Sequence, residues 1–345
     1  MISKFKSFLY TQVYINILPA TKKTIIYVEE VQSNGSSKSY EEVFDSTKKN
    51  EINECIKIHA RKSPIHYISI LDNSISQGAT PTCSSKDMAA FCDLGESNHI
   101  CYGEQWGYYT SKLDILALQN KYKKVGLDFI FSPFLLIADF FKDKISTETA
   151  LFVLVEKDSI SLSIFDNSRL LFAEHLDIGN DTEFEDELSM NDDVSLDEDL
   201  ELDVNDDDNG IDLEEINVMD DLDSLEEFDD IEDLETFDDM DDFAEDEPQE
   251  IGESAAAVAP ELSMDNESSF GEDYHRFSLI QSSINNFYKD DRFDSDFILK
   301  VYIADGVGVT QELKKFLQEE MYLDVVIRKI DLGARICELA KVEKK

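Results

Sequence analysis

Apolar positions alternate or run together in short bursts over most of the chain. From Tyr10 to Glu30 the text is YTQVYINILPATKKTIIYVEE. Two β-rich runs, Val13 to Leu18 and Thr24 to Val28, flank a Pro-Ala-Thr-Lys-Lys turn and predict a strand, a tight turn and a second strand. A polar break, SNGSSKS, follows. Ile52, Cys55, Ile56 and His59 then recur at helical spacing, and Tyr67 to Leu71 forms a short apolar strand. The stretch Asp72 to Tyr109 shows no period and reads as irregular. Leu113 to Val125 predicts a helix, with Gly126 where a C-terminal cap glycine belongs. LDFIFS predicts a buried strand, and Pro133 opens a further helix at the position where proline is best tolerated.

Next come ALFVLVEK, SISLSIFD and RLLFAEHL, separated by Lys157-Asp158 and Asn167-Ser168, the pattern of an antiparallel meander. Near the end, Tyr274 to Phe287 predicts a helix, DFILKVYIA a strand and Asp305-Gly306-Val307-Gly308 a turn. A helix from Gln311 to Met321, a strand at Asp324 to Ile327 and a helix from Asp331 to Lys341 complete the chain. Strands alternating with helices, together with meanders, indicate an α/β class.

Charge divides this chain of 345 residues sharply. The formal net charge is -45, yet residues 181–273 hold 42 Asp and Glu and no Lys or Arg. The other 252 residues carry 34 acidic against 31 basic side chains, so a nearly neutral body is interrupted by one acidic insertion. Within the insertion, Leu222, Leu225, Phe228, Ile231, Leu234, Phe237, Met240 and Phe243 recur every third residue. That spacing drifts around a helix instead of marking one face. With like charges adjacent and no cation to pair them, the tract is expected to be mostly disordered. It reads either as a solubilising insertion or as an acidic module that captures a basic partner.

No stretch forms a basic stripe, so direct nucleic-acid binding is not expected. The longest apolar runs are shorter than a membrane span, and the first residues do not read as a signal peptide. The expected location is cytoplasmic, peripheral at the inner membrane only through a partner.

Candidate chemistry is sparse. DVNDDDNGIDLEE suggests a calcium loop, but no register places oxygen ligands, glycine and the closing glutamate together. Five cysteines do not suggest a disulfide framework. Cys83, Cys92, His99 and Cys101 are four potential zinc ligands, but they lack the short C-x2-4-C knuckle, and buried free thiols are the commoner outcome. Hydrolase and Walker motifs are absent, so no catalytic residues are expected.

The order of elements resembles the actin-like fold, a ribonuclease H-like unit duplicated, in the versions found in the type IV pilus adaptor PilM and the cytoplasmic domain of the secretion protein GspL. The first phosphate loop of that family matches NILPATKK, Asn16 to Lys23. The crossover matches KYKKVGLDFIFSPFLLIADFF, the second loop LVEKDSISLSIFDNSRL, and the closing turn and helix YIADGVGVTQELKKFLQEEM. The resemblance implies a first lobe over 1–147, the start of a second over 148–180, the insertion over 181–273 and the rest of the second lobe over 274–345. Asn16 and Leu18 replace the Asp and Gly of the first loop, and Leu154 and Glu156 replace those of the second. Lys23, Gly306 and Gly308 are what remains of a nucleotide site. A side chain at either glycine position blocks the approach of phosphate to backbone N–H groups.

The resemblance therefore implies a non-catalytic scaffold of a pilus, type II secretion or DNA-uptake (competence) machine. Its partners would be an assembly ATPase or an inner-membrane component, with no cofactor. A divergent ATPase holding Mg-ATP is the enzymatic alternative.

Overall fold

The computed structural model describes residues 10–178, 265–290, 292–293 and 297–344. In the first half the elements are β1 (Gln12–Pro19), β2 (Lys23–Val31), β3 (Ser37–Asp45), α1 (Lys49–Ala60), β4 (Ile65–Leu71), β5 (Gln77–Thr80), α2 (Ser85–Met88), β6 (Ser97–Tyr102), β7 (Trp106–Ser111), α3 (Lys112–Lys121), β8 (Phe129–Phe131) and α4 (Pro133–Phe140). The second half holds α5 (Lys142–Ile145), β9 (Ala150–Val155), β10 (Ser159–Asp166), β11 (Arg169–Asp177), α6 (Asp265–Lys289), β12 (Lys300–Asp305), α7 (Gln311–Glu319), β13 (Asp324–Lys329) and α8 (Leu332–Glu343).

Two five-stranded sheets repeat one topology. The first has the order β3-β2-β1-β4-β8 and the second β11-β10-β9-β12-β13. In each, the first three strands form an antiparallel meander, and the two that follow join in parallel through helices. This duplicated arrangement is the actin-like fold that the sequence resemblance implies.

Alternation along the central strands builds the layers. On β9, Leu151, Val153 and Val155 face α6 and α7, while Ala150, Phe152 and Leu154 face the middle of the molecule. On β1, Val13, Ile15 and Ile17 pack with Ile52, Ile56 and Leu118 of α1 and α3, and Tyr14 faces the middle. Strands covered on both faces read as unbroken apolar runs, which is why ALFVLV is apolar throughout.

Two helices fill the middle layer. Ser132 caps α4 by accepting the Phe134 N–H (3.3 Å), with Pro133 at the first helical position as expected. α4 packs on β9 and β10, the strands that follow it, and α8 packs back on β1, β2 and β4. Each lobe is thus closed by the helix of the other. Asn16, fully buried on β1, donates to the Gly333 carbonyl (2.8 Å) and to Cys337 Sγ (3.0 Å) on α8, and accepts from Ser69 Oγ.

Three features differ from the sequence expectation. SNGSSKS is the turn into a third strand, β3, whose positions are exposed except for half-buried Phe44. The irregular stretch contains a three-stranded sheet, β5-β7-β6, in which a disulfide joins Cys83 and Cys101. α6 begins at Asp265, nine residues before Tyr274, so the last part of the acidic segment belongs to the folded body. The rest of that segment, including the expected disorder, the period-three stretch and the calcium-loop candidate, lies outside the described residues. No described helix is long and apolar enough to cross a membrane.

Candidate functional site

Three turns converge on one cleft of about 550 Å³: the β1–β2 turn, the β9–β10 turn and the turn after β12. Lys23, Gly306 and Gly308, separated by nearly 300 residues in sequence, all line it. The fold brings the three together because β1, β9 and β12 end on the same side of the molecule. Leu18 and Glu156, which the sequence resemblance aligns with phosphate-loop glycines, line it as well.

Several backbone donors of these turns are bonded within the protein. Asp158, on the β9–β10 turn, accepts the Thr21 N–H from the β1–β2 turn with its Oδ2. Within its own turn the Glu156 N–H donates to Ser159 O (3.0 Å). After β12, buried Asp305 folds back so that one oxygen accepts the N–H groups of Val307 (3.1 Å), Gly308 (2.6 Å) and Val309 (3.1 Å). Such a nest of successive N–H groups is an anion site by construction, and here its anion is the chain's own carboxylate. Gly308 supplies the left-handed conformation (φ +89°) that the nest requires. Gly306 is needed for a different reason: a Cβ there would stand 2.9 Å from the Val155 carbonyl oxygen.

Around this floor the charges are mixed. Lys23, Lys157 and Arg276 face Glu156, Asp158, Asp177 and Glu272. Arg276 is committed, donating to Asp273 (2.8 Å) and Glu272 (2.9 Å). Fully buried Asp273 uses its other oxygen to accept the Thr310 N–H (2.8 Å) and hydroxyl (2.6 Å), which fixes the first half of α6 to the N-terminus of α7. Burial pushes the Glu156 carboxyl up to about 7, against the Ser159 hydroxyl bond and with help from Asp158 and Asp72. His175 is driven down to about 4 by burial, and its Nδ1 lies 2.8 Å from Ser161 Oγ. Desolvation also raises the Asp72 carboxyl, although Ser74 and Thr110 hydrogen-bond it.

A family described only as a domain of unknown function, DUF8341, matches residues 151–345, more than half of the chain. The chain belongs to the DUF8341 family. A second domain of unknown function, DUF8569, matches residues 10–138, so this DUF8341 member carries one family match per lobe. No curated protein matches the chain.

Among solved structures, a Bacteroides thetaiotaomicron protein with an actin-like ATPase fold and unknown function is 12% identical, over 95% of this chain and 94% of that one, with a TM-score of 0.42. The PilM–PilN type IV pilus biogenesis complex gives 9% identity over 91% and 88%, with a TM-score of 0.48. The ethanolamine utilization protein EutJ of Carboxydothermus hydrogenoformans gives 6% over 91% and 84%, at 0.36. At such scores these likenesses carry no argument, and the fold rests on the strand order.

The four zinc candidates do not converge. Cys83 and Cys101 are bonded to each other, and the Cys92 thiol points at the Met88 carbonyl (3.8 Å). Sequence reasoning missed Asp158, His175 and Arg276 as cleft residues, and Asp305 as the acceptor of the turn beside them. Asp158 and Asp305 carried a local signal as acids in predicted turns, whereas His175 and Arg276 reach the cleft only through tertiary structure. It also passed over Glu42, Cys55 and His59, whose donor atoms lie within 4.8 Å of one another on β3 and α1.

Proposed function

We propose that this DUF8341 member is a non-catalytic scaffold of actin-like fold, in which the ancestral phosphate positions are filled by the protein's own carboxylates. The observation that carries the reading is the pairing of Asp158 with the Thr21 N–H, reinforced by Asp305 on three further N–H groups. A phosphate entering the cleft has to displace Asp158 and share space with Glu156, and each displacement costs a hydrogen bond or adds charge repulsion. The function then lies on protein surfaces. The setting suggested by the sequence resemblance is the cytoplasmic face of the inner membrane, where the protein would join a pilus, secretion or DNA-uptake assembly to its ATPase or membrane component.

The test is thermal unfolding of the full chain with and without millimolar Mg-ATP. A nucleotide present at about 100 times its dissociation constant would add about 2.7 kcal/mol. No shift in melting temperature is expected. A clear upward shift, lost in Gly306→Asp, would move the protein to the ATPase alternative.

A further inference from the structure

Away from the cleft, the outer face of the first lobe holds three chemically different donors. Cys55 and His59 stand four residues apart on α1, so they share one face of the helix. Both are buried, at 7% and 6% exposure. Glu42 comes from β3, the exposed edge strand, and turns its carboxylate onto the His59 ring, with Oε1 2.9 Å from Nε2. The thiol sulfur, an imidazole nitrogen and a carboxylate oxygen all lie within 4.8 Å of one another.

We propose that Glu42, Cys55 and His59 form a binding site for a borderline divalent cation of the zinc class, with a fourth position open to solvent. Ligands on one tetrahedral zinc stand about 3.5 Å apart, so side-chain movements of about an ångström would draw the three donors onto a common ion. The donor set selects the metal. Thiolate with imidazole suits zinc or cobalt, whereas magnesium and calcium require oxygen ligands throughout.

Charge also balances. Zinc takes the Cys55 sulfur as thiolate, the S–H bond breaks and its proton leaves to solvent. Two anionic ligands then neutralise the dication beside Lys62.

Lys62 is the group the ion has to reckon with. Its Nζ lies 3.0 Å from His59 Nδ1, but also 2.8 Å from Glu30 and 5.0 Å from the centre of the Tyr40 ring. When Nε2 binds metal the ring proton moves to Nδ1, and Lys62 retains Glu30 and Tyr40. The consequence is structural. β3 contributes almost nothing to the core, and a metal on Glu42 would pin that edge strand to α1.

The experiment is titration of the chelator-treated full chain with cobalt(II), followed by zinc displacement. A sulfur-to-cobalt charge-transfer band saturating at one equivalent is expected, absent in Cys55→Ser and unchanged in Cys92→Ser. Glu42→Gln, at an exposed position that leaves the core intact, is expected to weaken binding at least about tenfold. Cobalt held by the acidic segment has only oxygen ligands and gives no such band. Absence of the band in the unmodified protein, its survival in Cys55→Ser, or undiminished affinity in Glu42→Gln would overturn the site.

Discussion

The carboxylate of Asp158 accepts the backbone N–H of Thr21, joining the hairpin turn of one lobe to that of the other. The carbonyl of the same residue accepts the Ile178 N–H (2.8 Å), so one turn residue ties the first hairpin to the end of β11. Asp158→Ala removes the first bond and keeps the second. Because Thr21 is exposed, water replaces the lost acceptor, and the expected cost is only about 0.5–1 kcal/mol. The informative readout is amide hydrogen exchange: Thr21 should lose protection in the variant, while amides in β1 and β9 keep theirs.

Glu156 and His175 give the cleft two opposing pH dependences. Glu156 has a raised folded-state value of about 7, so the folded chain holds a proton that the unfolded chain releases. Its contribution to stability is full below about 4.5 and is lost as pH rises to 7. His175, lowered to about 4, does the reverse: its contribution is full above about 6.5 and is lost as pH falls. Between about 4.5 and 6.5 the two slopes oppose each other. Glu156→Gln should therefore unmask stability that rises with pH over that window. His175→Asn, which keeps a partner for Ser161, should unmask stability that falls with pH. Each change should be on the order of 2 kcal/mol between pH 5 and pH 8. Urea titrations at both pH values check it, and parallel curves for the variants and the parent protein would refute the assignment.

Legibility followed burial. β1, β2 and the β9–β11 meander were readable because their apolar runs are the interior of the two sheets. β3 was not, since SKSYEEVFD is exposed nearly throughout and is a strand only because it pairs with β2. β5, β6 and β7 are short and mix Gly, Ser and Thr with aromatic residues, so their extended form also comes from pairing. The start of α6 was hidden by its acidic composition, although Asp273 is an internal counter-charge to Arg276. Lys23, Gly306 and Gly308 were grouped by the family resemblance, and all three line the cleft. That Asp158 would reach Thr21 depends on how two lobes meet, which no local pattern encodes.

One substitution at two helical glycines should have opposite signs. At Gly271 in α6, a Cβ meets nothing within 4 Å, so Gly271→Ala should stabilise by about 0.5–1 kcal/mol through the lost entropy of the unfolded chain. At Gly333 in α8, a Cβ would fall 2.4 Å from Tyr27 Cγ and 2.6 Å from its Cβ. Those atoms sit at the root of the side chain and cannot swing away. Gly333→Ala must push α8 off β2, at a cost of about 1–3 kcal/mol. Denaturant midpoints of the two variants, bracketing that of the parent, are the expected result.

The disulfide corrects the sequence expectation that five cysteines in a chain of this length form no framework. Cys83 and Cys101 are 18 residues apart, with a Cα separation of 5.6 Å, and close a loop around the small sheet. Closing a loop of that length stabilises by about 3 kcal/mol in the chain-entropy account. Trp106, 2% exposed, joins this sheet to the second lobe by packing edge-on against Phe165, with ring centres 5.8 Å apart. Loss of the disulfide should therefore loosen the small sheet and its contact with the second lobe before either large sheet. In denatured protein alkylated without reductant, Cys55, Cys92 and Cys337 should be labelled while Cys83 and Cys101 are spared. In the double variant Cys83→Ser with Cys101→Ser, hydrogen exchange should accelerate across β5, β6 and β7, leaving β1 and β9 protected. Labelling of all five cysteines would show the pair reduced in the protein as isolated, and the small sheet would then depend on its packing, Trp106 against Phe165 included.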